Sequence, residues 1–195
     1  MVEVRALSRD EAVAHFDDLA RLRIEVFRQW PYLYDGDLDY ERAYLQTYFA
    51  SQNAFIAGAF ADGRLVGACT ASPLQDHAAE FAEPFRQAKR DLRDHFYFGE
   101  SVLLAPYRGQ GIGDQFLRVR EEEARHQGFN TCIFAAVERP QDHPMRPPEY
   151  TPLDGFWRKR GYAPIPGFET QFSWRDIGET QETAKPMRFW SKDLT

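Results

Sequence analysis

The segment Phe98–Gly113, FGESVLLAPYRGQGIG, holds the residues whose types and spacing point most directly to chemistry. An apolar run from Ser101 to Ala105 ends in a turn at Pro106, and Arg108-Gly109-Gln110-Gly111-Ile112-Gly113 follows before a helix-like segment, Asp114 to Gln127. This is the order strand, glycine-rich loop, helix. A helix start leaves backbone N–H groups without partners and carries partial positive charge. Glycines let an anion approach those amides closely, and Arg108 adds a fixed cation, so the segment reads as a cradle for a phosphate or pyrophosphate. Spacing excludes the two commonest cradles. A nucleoside triphosphate loop needs Lys followed by Ser or Thr after its last glycine, where this chain has Asp114-Gln115. The dinucleotide fingerprint needs G-x-G-x-x-G, whereas Gly109, Gly111 and Gly113 give G-x-G-x-G. Gly99-Glu100-Ser101-Val102-Leu103 comes close to the G-x-S-x-G nucleophile elbow of serine hydrolases, and Leu103 breaks it.

The elements that must position this loop are legible along the chain. Apolar residues at Val13, Phe16, Leu19, Leu22, Val26 and Phe27 predict a helix over 10–28. A second helix is predicted over 38–49, and a hairpin pairs 54–60 with 65–71 across a turn containing Gly63. A charged helix is predicted over 80–95. TCIFAAV, residues 131–137, reads as a buried strand, 139–150 as a proline-rich loop, and 153–160 as a short helix closed by Gly161. Late strands are expected over 169–174 and 187–190.

This order, together with Arg108, Gly111 and Gly113 read as R-x-x-G-x-G, resembles the GNAT superfamily, the Gcn5-related N-acetyltransferases. Phe156–Tyr162, FWRKRGY, is similar to the helix end F-Y-x-K-x-G-F of that family. The resemblance spans nearly the whole chain. It implies an α/β fold with a mixed, mostly antiparallel central sheet and helices on both faces, as one domain over 1–195. It also implies transfer of an acetyl or short acyl group from acetyl-CoA to a primary amine, with a small-molecule acceptor preferred. On the same ground the CoA contacts are expected at Leu103, Leu104, Arg108, Gly109, Gln110, Gly111, Ile112, Gly113 and Trp157.

Such a transfer needs a group that takes a proton from the acceptor ammonium, and donors that stabilise the thioester oxygen. Glu100 is the first candidate base. Phe96, Tyr97, Phe98 and Val102 flank it, and desolvation among them would raise its pKa toward neutrality. Glu138, ending the strand 131–137, is the second candidate, and His143 in the following loop is the third. The family often places a tyrosine, the thiolate acid, where this chain has Trp157; Tyr162, Tyr150 or solvent are the substitutes. That departure is also what favours a rival reading, an acyl-CoA-binding module without turnover. For the acceptor the resemblance points to two walls. One is Trp30–Asp37, from which Tyr32, Tyr34 and Asp35 would serve a cationic amine, while Asp35 or Asp37 would equally cap the next helix. The other is the loop 139–150, whose Arg139 and Arg146 would suit an acidic acceptor or the CoA 3′-phosphate. The two walls point to opposite acceptor charges.

Composition narrows the rest. The chain has 195 residues, a net charge of −6 and two cysteines. No basic run suggests a nucleic-acid partner, no apolar stretch reaches membrane-spanning length, and the first residues lack a signal-peptide core, so a cytoplasmic enzyme is expected. Cys69 and Cys132 fall inside predicted strands and read as small core residues, and the histidines show no spacing that would hold a metal. Homodimerisation is left open.

Overall fold

The computed structural model describes residues 1–194, and the side chains of these apart from Thr47. Seven strands form one sheet in the order β1-β2-β3-β4-β5-β7-β6. Their ranges are β1 Val2–Ala6, β2 Phe55–Ala61, β3 Arg64–Pro73, β4 His95–Leu103, β5 Thr131–Val137, β6 Ala163–Trp174 and β7 Thr183–Asp193. Every neighbouring pair is antiparallel except β4 and β5. Six α-helices accompany them among the described residues: α1 Arg9–Ala14, α2 Phe16–Phe27, α3 Leu38–Ala50, α4 Ala79–Gln87, α5 Ile112–His126 and α6 Asp154–Arg158. The mixed, mostly antiparallel sheet with helices on both faces is the expected architecture. Among the described residues, no helix is long and apolar enough to cross a membrane.

Local chemistry explains most boundaries. The β2–β3 turn places Asp62 and Gly63 at φ 49° and 77°, the pair of left-handed residues that a two-residue hairpin turn requires. The side chain of Asp37 accepts from the amides of Asp39 and Tyr40 and starts α3. The single helix expected over 10–28 is two. A Ser8–Glu11 capping box starts α1, and His15 ends it and opens α2. The helix expected over 80–95 stops at Gln87, because Lys89 turns left-handed at φ 55° and the Arg90 amide donates back to the Phe85 carbonyl. His95 is therefore the first residue of β4, which begins six residues before the predicted apolar run.

Two faces of the sheet are filled differently. On one, Ile112 and Phe116 of α5 pack on Ala57, Ala59 and Cys69, while Leu117 and Ala124 pack with Phe96, Phe98 and Cys132. On the other, Leu19 and Leu22 of α2 and Leu45 of α3 cover Ala68 and Val102. Phe81 and Phe85 of α4 pack on Tyr97, Ile133 and Phe189. Both cysteines are free and fully buried, as small core residues.

Candidate active site

The sheet opens beside the glycine-rich loop. β4 pairs with β5 only from His95↔Thr131 to Tyr97↔Ile133, whereas β5 stays on the β7 ladder as far as Val137↔Met187. Past Tyr97 the two parallel strands diverge, and the β5-facing peptide edge of β4 leaves the ladder. β4 then leads through a 3-10 turn, Ala105–Tyr107, into the loop and α5. Gly111 is the N-cap of α5 at φ 80°, and Gly109 sits at φ 76°. A Cβ built on either meets no atom within 4 Å, so open space lies before the loop. Gly113 differs: its Cβ would lie 3.3 Å from the Phe156 ring, so packing against α6, rather than room for a phosphate, calls for glycine there. Arg108 folds back, its Nε donating to the Leu103 carbonyl at 3.0 Å, and Gln110 Nε2 donates to the Pro106 carbonyl. Leu103 and Leu104 pack on the cluster that buries Ile112. Asp114, the acid in the first turn of α5, is held by Arg160 and Arg118 at 2.6 and 2.7 Å, which leaves the helix start basic. A wedge with a free peptide edge, amides at a helix start and flanking guanidinium groups fits the pantetheine and phosphates of a coenzyme A thioester.

A second cavity lies on the opposite face of β4, and a β-bulge connects the two. Cys69 pairs with Ser101 and Ala71 with Phe98, so Gly99 and Glu100 together oppose Thr70. The Glu100 amide donates to Thr70 Oγ1 at 3.3 Å. Arg120 of α5 clasps the bulge: Nη1 donates to the Thr70 and Glu100 carbonyls at 3.3 and 3.2 Å, Nη2 to Ser101 Oγ at 2.7 Å, and Nε to the Phe116 carbonyl. Its guanidinium lies 4.2 Å from the Phe98 ring centre. The extra residue inverts the alternation. Phe98 and Ser101 both face α5, while Glu100 turns with Tyr97 into the cavity under α2 and α3.

That cavity encloses about 620 Å³, its open mouth included, and its walls are mainly aromatic. Tyr32, Tyr34 and Tyr40 come from the α2–α3 connection and the start of α3, and Phe172 and Trp174 from β6. At its floor Arg23 of α2 meets two carboxylates. Nη1 lies 2.7 Å from Glu100 Oε2, and Nε donates to Glu41 of α3. Arg23 also stacks 4.3 Å from the Tyr44 ring centre. Glu100 is 7 % exposed and Glu41 0 %. The apolar enclosure expected around Glu100 is thus replaced by a guanidinium. Phe96 and Phe98 lie on the other face, and Val102 packs on α2. His77, whose ring centre is 4.3 Å from that of Tyr97, also lines the cavity, and burial pushes its imidazole down to about 4. Burial first, and Glu100 second, push the Tyr32 hydroxyl up to about 12, so both side chains are neutral near pH 7.

The GNAT acetyltransferase family model matches residues 18–147. The chain belongs to this family. A search of curated proteins returns no match. Among solved structures, a ribosomal-protein-alanine N-acetyltransferase from Brucella melitensis superposes with a TM-score of 0.63 at 15 % identity, over 98 % of this chain and 99 % of that one. A Salmonella typhimurium structure with its cofactor acetyl-CoA gives 0.62 at 11 % identity, over 100 % and 95 %. An N-acetyltransferase from Staphylococcus aureus gives 0.60 at 14 % identity, over 100 % and 99 %. At these identities the structures share the fold.

In this GNAT chain the predicted residues divide. Glu100, Tyr32 and Tyr34 line one cavity. Asp35 does not: it pairs with Arg28 at 2.9 Å and Arg175 at 3.3 Å. Glu138 is paired with Arg188 of β7. His143 packs 5.0 Å from the Trp30 ring, and its Nδ1 accepts from the Met145 amide. Neither Glu138 nor His143 lines the Glu100 cavity. Arg139 corrects the expectation of an anion-binding wall. It is buried, bidentate on Asp176 at 2.7 and 2.9 Å, and donates to the Pro31 and Tyr32 carbonyls, so it staples the loop 139–150 to the α2–α3 connection. Arg146 lies over the Tyr150 ring. Trp157 packs on Phe134 and Trp190 beside the wedge, and the Tyr162 hydroxyl donates to Glu121. Sequence reasoning missed Arg23, Tyr44, His77, Phe172 and Trp174, and it pointed to Glu41 only as one of the acids that follow the Trp30–Asp37 wall. For Arg23 a signal existed: a cation four residues after Leu19, on the apolar stripe of its helix.

Proposed function

We propose that this GNAT domain, spanning 1–195, transfers an acetyl group from acetyl-CoA to a primary amine held in the Glu100 cavity, by direct attack. The observation that carries this reading is the bulge at Gly99–Glu100. It turns a carboxylate into a cavity on one face of β4 at the point where the same strand opens its edge toward the glycine-rich loop. Bound acetyl-CoA supplies the electrophilic thioester. Arg108 and the amides from Gly109 to Gly113 hold its phosphates, and Leu103, Leu104 and Trp157 flank the pantetheine. Amides on the open edge of β4 accept the developing charge of the thioester oxygen. Glu100, oriented through Oε2 by Arg23, takes the proton of the acceptor ammonium. Trp157 has no usefully acidic proton, Tyr162 is committed to Glu121, and Tyr150 packs against Trp30 and Arg146 in the loop 139–150 rather than against Trp157, which leaves solvent to reprotonate the thiolate.

Two measurements test this. Acetyl-CoA at about one hundred times Kd should add about 2.7 kcal/mol of stability, and a panel of primary amines should accelerate thiol release. Stabilisation without release for any amine would leave an acyl-CoA-binding module, and no stabilisation at millimolar acetyl-CoA would refute both.

A further inference from the structure

The charge balance of the Glu100 cavity points to a narrower acceptor class than primary amines at large, and the argument rests on the N-acetyltransfer reading above. Three lining side chains are charged: Arg23, Glu41 and Glu100. One guanidinium is shared between two carboxylates, so the lining carries one unmatched negative charge. Leaving a charge unmatched away from water is costly, and one ligand cation removes that cost. A second observation lies in the same corner. Glu41 is fully buried, the Tyr34 hydroxyl is set against its carboxylate, and its cation, Arg23, is the one it shares with Glu100. An ammonium supplies the second cation that this pair of carboxylates lacks.

The walls decide what the ammonium is attached to. Tyr32, Phe172 and Trp174 face the same space, and aromatic faces attract a cation while burying an apolar body. They give a second ammonium no counter-charge. A carboxylate fares no better. Arg139 and Lys185, the nearby buried cations, are both committed to Asp176, and His77 is neutral. We propose that the acceptor is a primary monoamine on an aromatic or comparably apolar body, without a carboxylate.

The test compares four acceptors at saturating acetyl-CoA: 2-phenylethylamine, phenylalanine, spermidine and glycine ethyl ester. Phenylalanine differs from the first only by its carboxylate. The expected result is a kcat/KM for 2-phenylethylamine at least about tenfold above each of the others: an unpaired buried charge discriminates against phenylalanine and spermidine by at least that factor, and the missing aromatic burial does so against glycine ethyl ester. With CoA bound, 2-phenylethylamine should raise the melting temperature and phenylalanine should not. Phenylalanine or spermidine as the equal or better substrate overturns the inference while leaving N-acetyltransfer intact. No release with any amine removes both. Glu41→Gln should raise KM for 2-phenylethylamine about tenfold. Should that variant not fold, Phe172→Ala at the partly exposed wall serves instead, and an unchanged KM there overturns the inference.

Discussion

Arg120→Met tests whether the bulge is what aims Glu100. Arg120 is 3 % exposed, and its partners are three carbonyls, one hydroxyl and the Phe98 ring, none of them a carboxylate. Hydrogen bonds from a charged donor contribute about 1.5–3 kcal/mol each, and the ring contact about 1–2 kcal/mol. Against this stands the cost of burying a guanidinium, several kcal/mol. Even at the low end of those ranges, about 7 kcal/mol in all, the gain exceeds that cost, and a net loss of at least about 2 kcal/mol is expected in urea unfolding. For a chain of this length that corresponds to a fall of about 4–8 °C in Tm.

Activity should fall much further than stability. Without its clasp the Gly99–Glu100 bulge relaxes, and misplacing a catalytic group by about 1 Å costs on the order of a hundredfold. The assay is amine-dependent thiol release, run well below the lowered Tm so that parent and variant are equally folded. The acetyl-CoA melting shift should persist, because the loop from Arg108 to Gly113 is untouched. Arg120→Lys should recover little, since one ammonium cannot replace a three-nitrogen fork. A variant that loses 2 kcal/mol yet keeps its kcat/KM would show that the bulge holds itself and that Arg120 serves stability alone.

Glu100→Gln should leave the acetyl-CoA melting shift in place and lower kcat by about a hundredfold or more; an unchanged kcat moves the base elsewhere. Gly111→Val forces a branched residue to φ 80°, costing about 1–2 kcal/mol of stability, and puts atoms into the space before the loop, so acetyl-CoA should no longer shift Tm; a retained shift refutes the cradle. His77 is held down at about 4 against 6.5. The unfolded chain takes up a proton across that window while the folded one does not. Stability is therefore complete above pH 6.5 and is lost as pH falls toward 4, by about 3 kcal/mol. His77→Phe should flatten the acid limb of a Tm-against-pH curve over that range.

The parts of this molecule that were legible in the sequence are those decided within a few residues. β5 was readable to the residue because TCIFAAV is an apolar run with polar ends, and the glycine-rich loop because its left-handed positions demand glycine. The β2–β3 turn carries its signal in Asp62-Gly63. Errors arose where a distant contact or a single backbone torsion decides. The periodicity of 80–95 continues past Gln87, and only the left-handed Lys89 ends the helix. β1 went unpredicted, because five residues of mixed polarity become a strand only against β2. Glu100 is the instructive case. Strict alternation from Phe98 puts it on the α5 face, and its true direction depends on a bulge clasped by a residue twenty positions downstream. Glu41 is legible as an acid beside the acceptor wall, but its pairing with Arg23 is a tertiary fact: two helices bring together charges eighteen residues apart.

Two of the buried ionic groups among the described residues contrast in a way that bears on function. Replacing a buried ion pair by apolar side chains is often neutral or stabilising, so burial alone does not explain why charges persist. Arg139, Asp176 and Lys185 form a closed group. Both cations bind the carboxylate, Arg139 also ties down the Pro31 and Tyr32 carbonyls, and Lys185 those of Trp174 and Thr183. Their bonds join three segments far apart in sequence, which is reason enough for the charges to be there. Arg23, Glu41 and Glu100 form an open group. It lines a cavity and carries one more carboxylate than cation. A fold selected for stability alone would fill that space with aliphatic side chains, as it does under Leu19 and Leu45 a few residues away. An open ionic group with a surplus carboxylate, in an aromatic cavity on the strand that leads into the glycine-rich loop, is what the proposed acceptor site requires before its amine arrives.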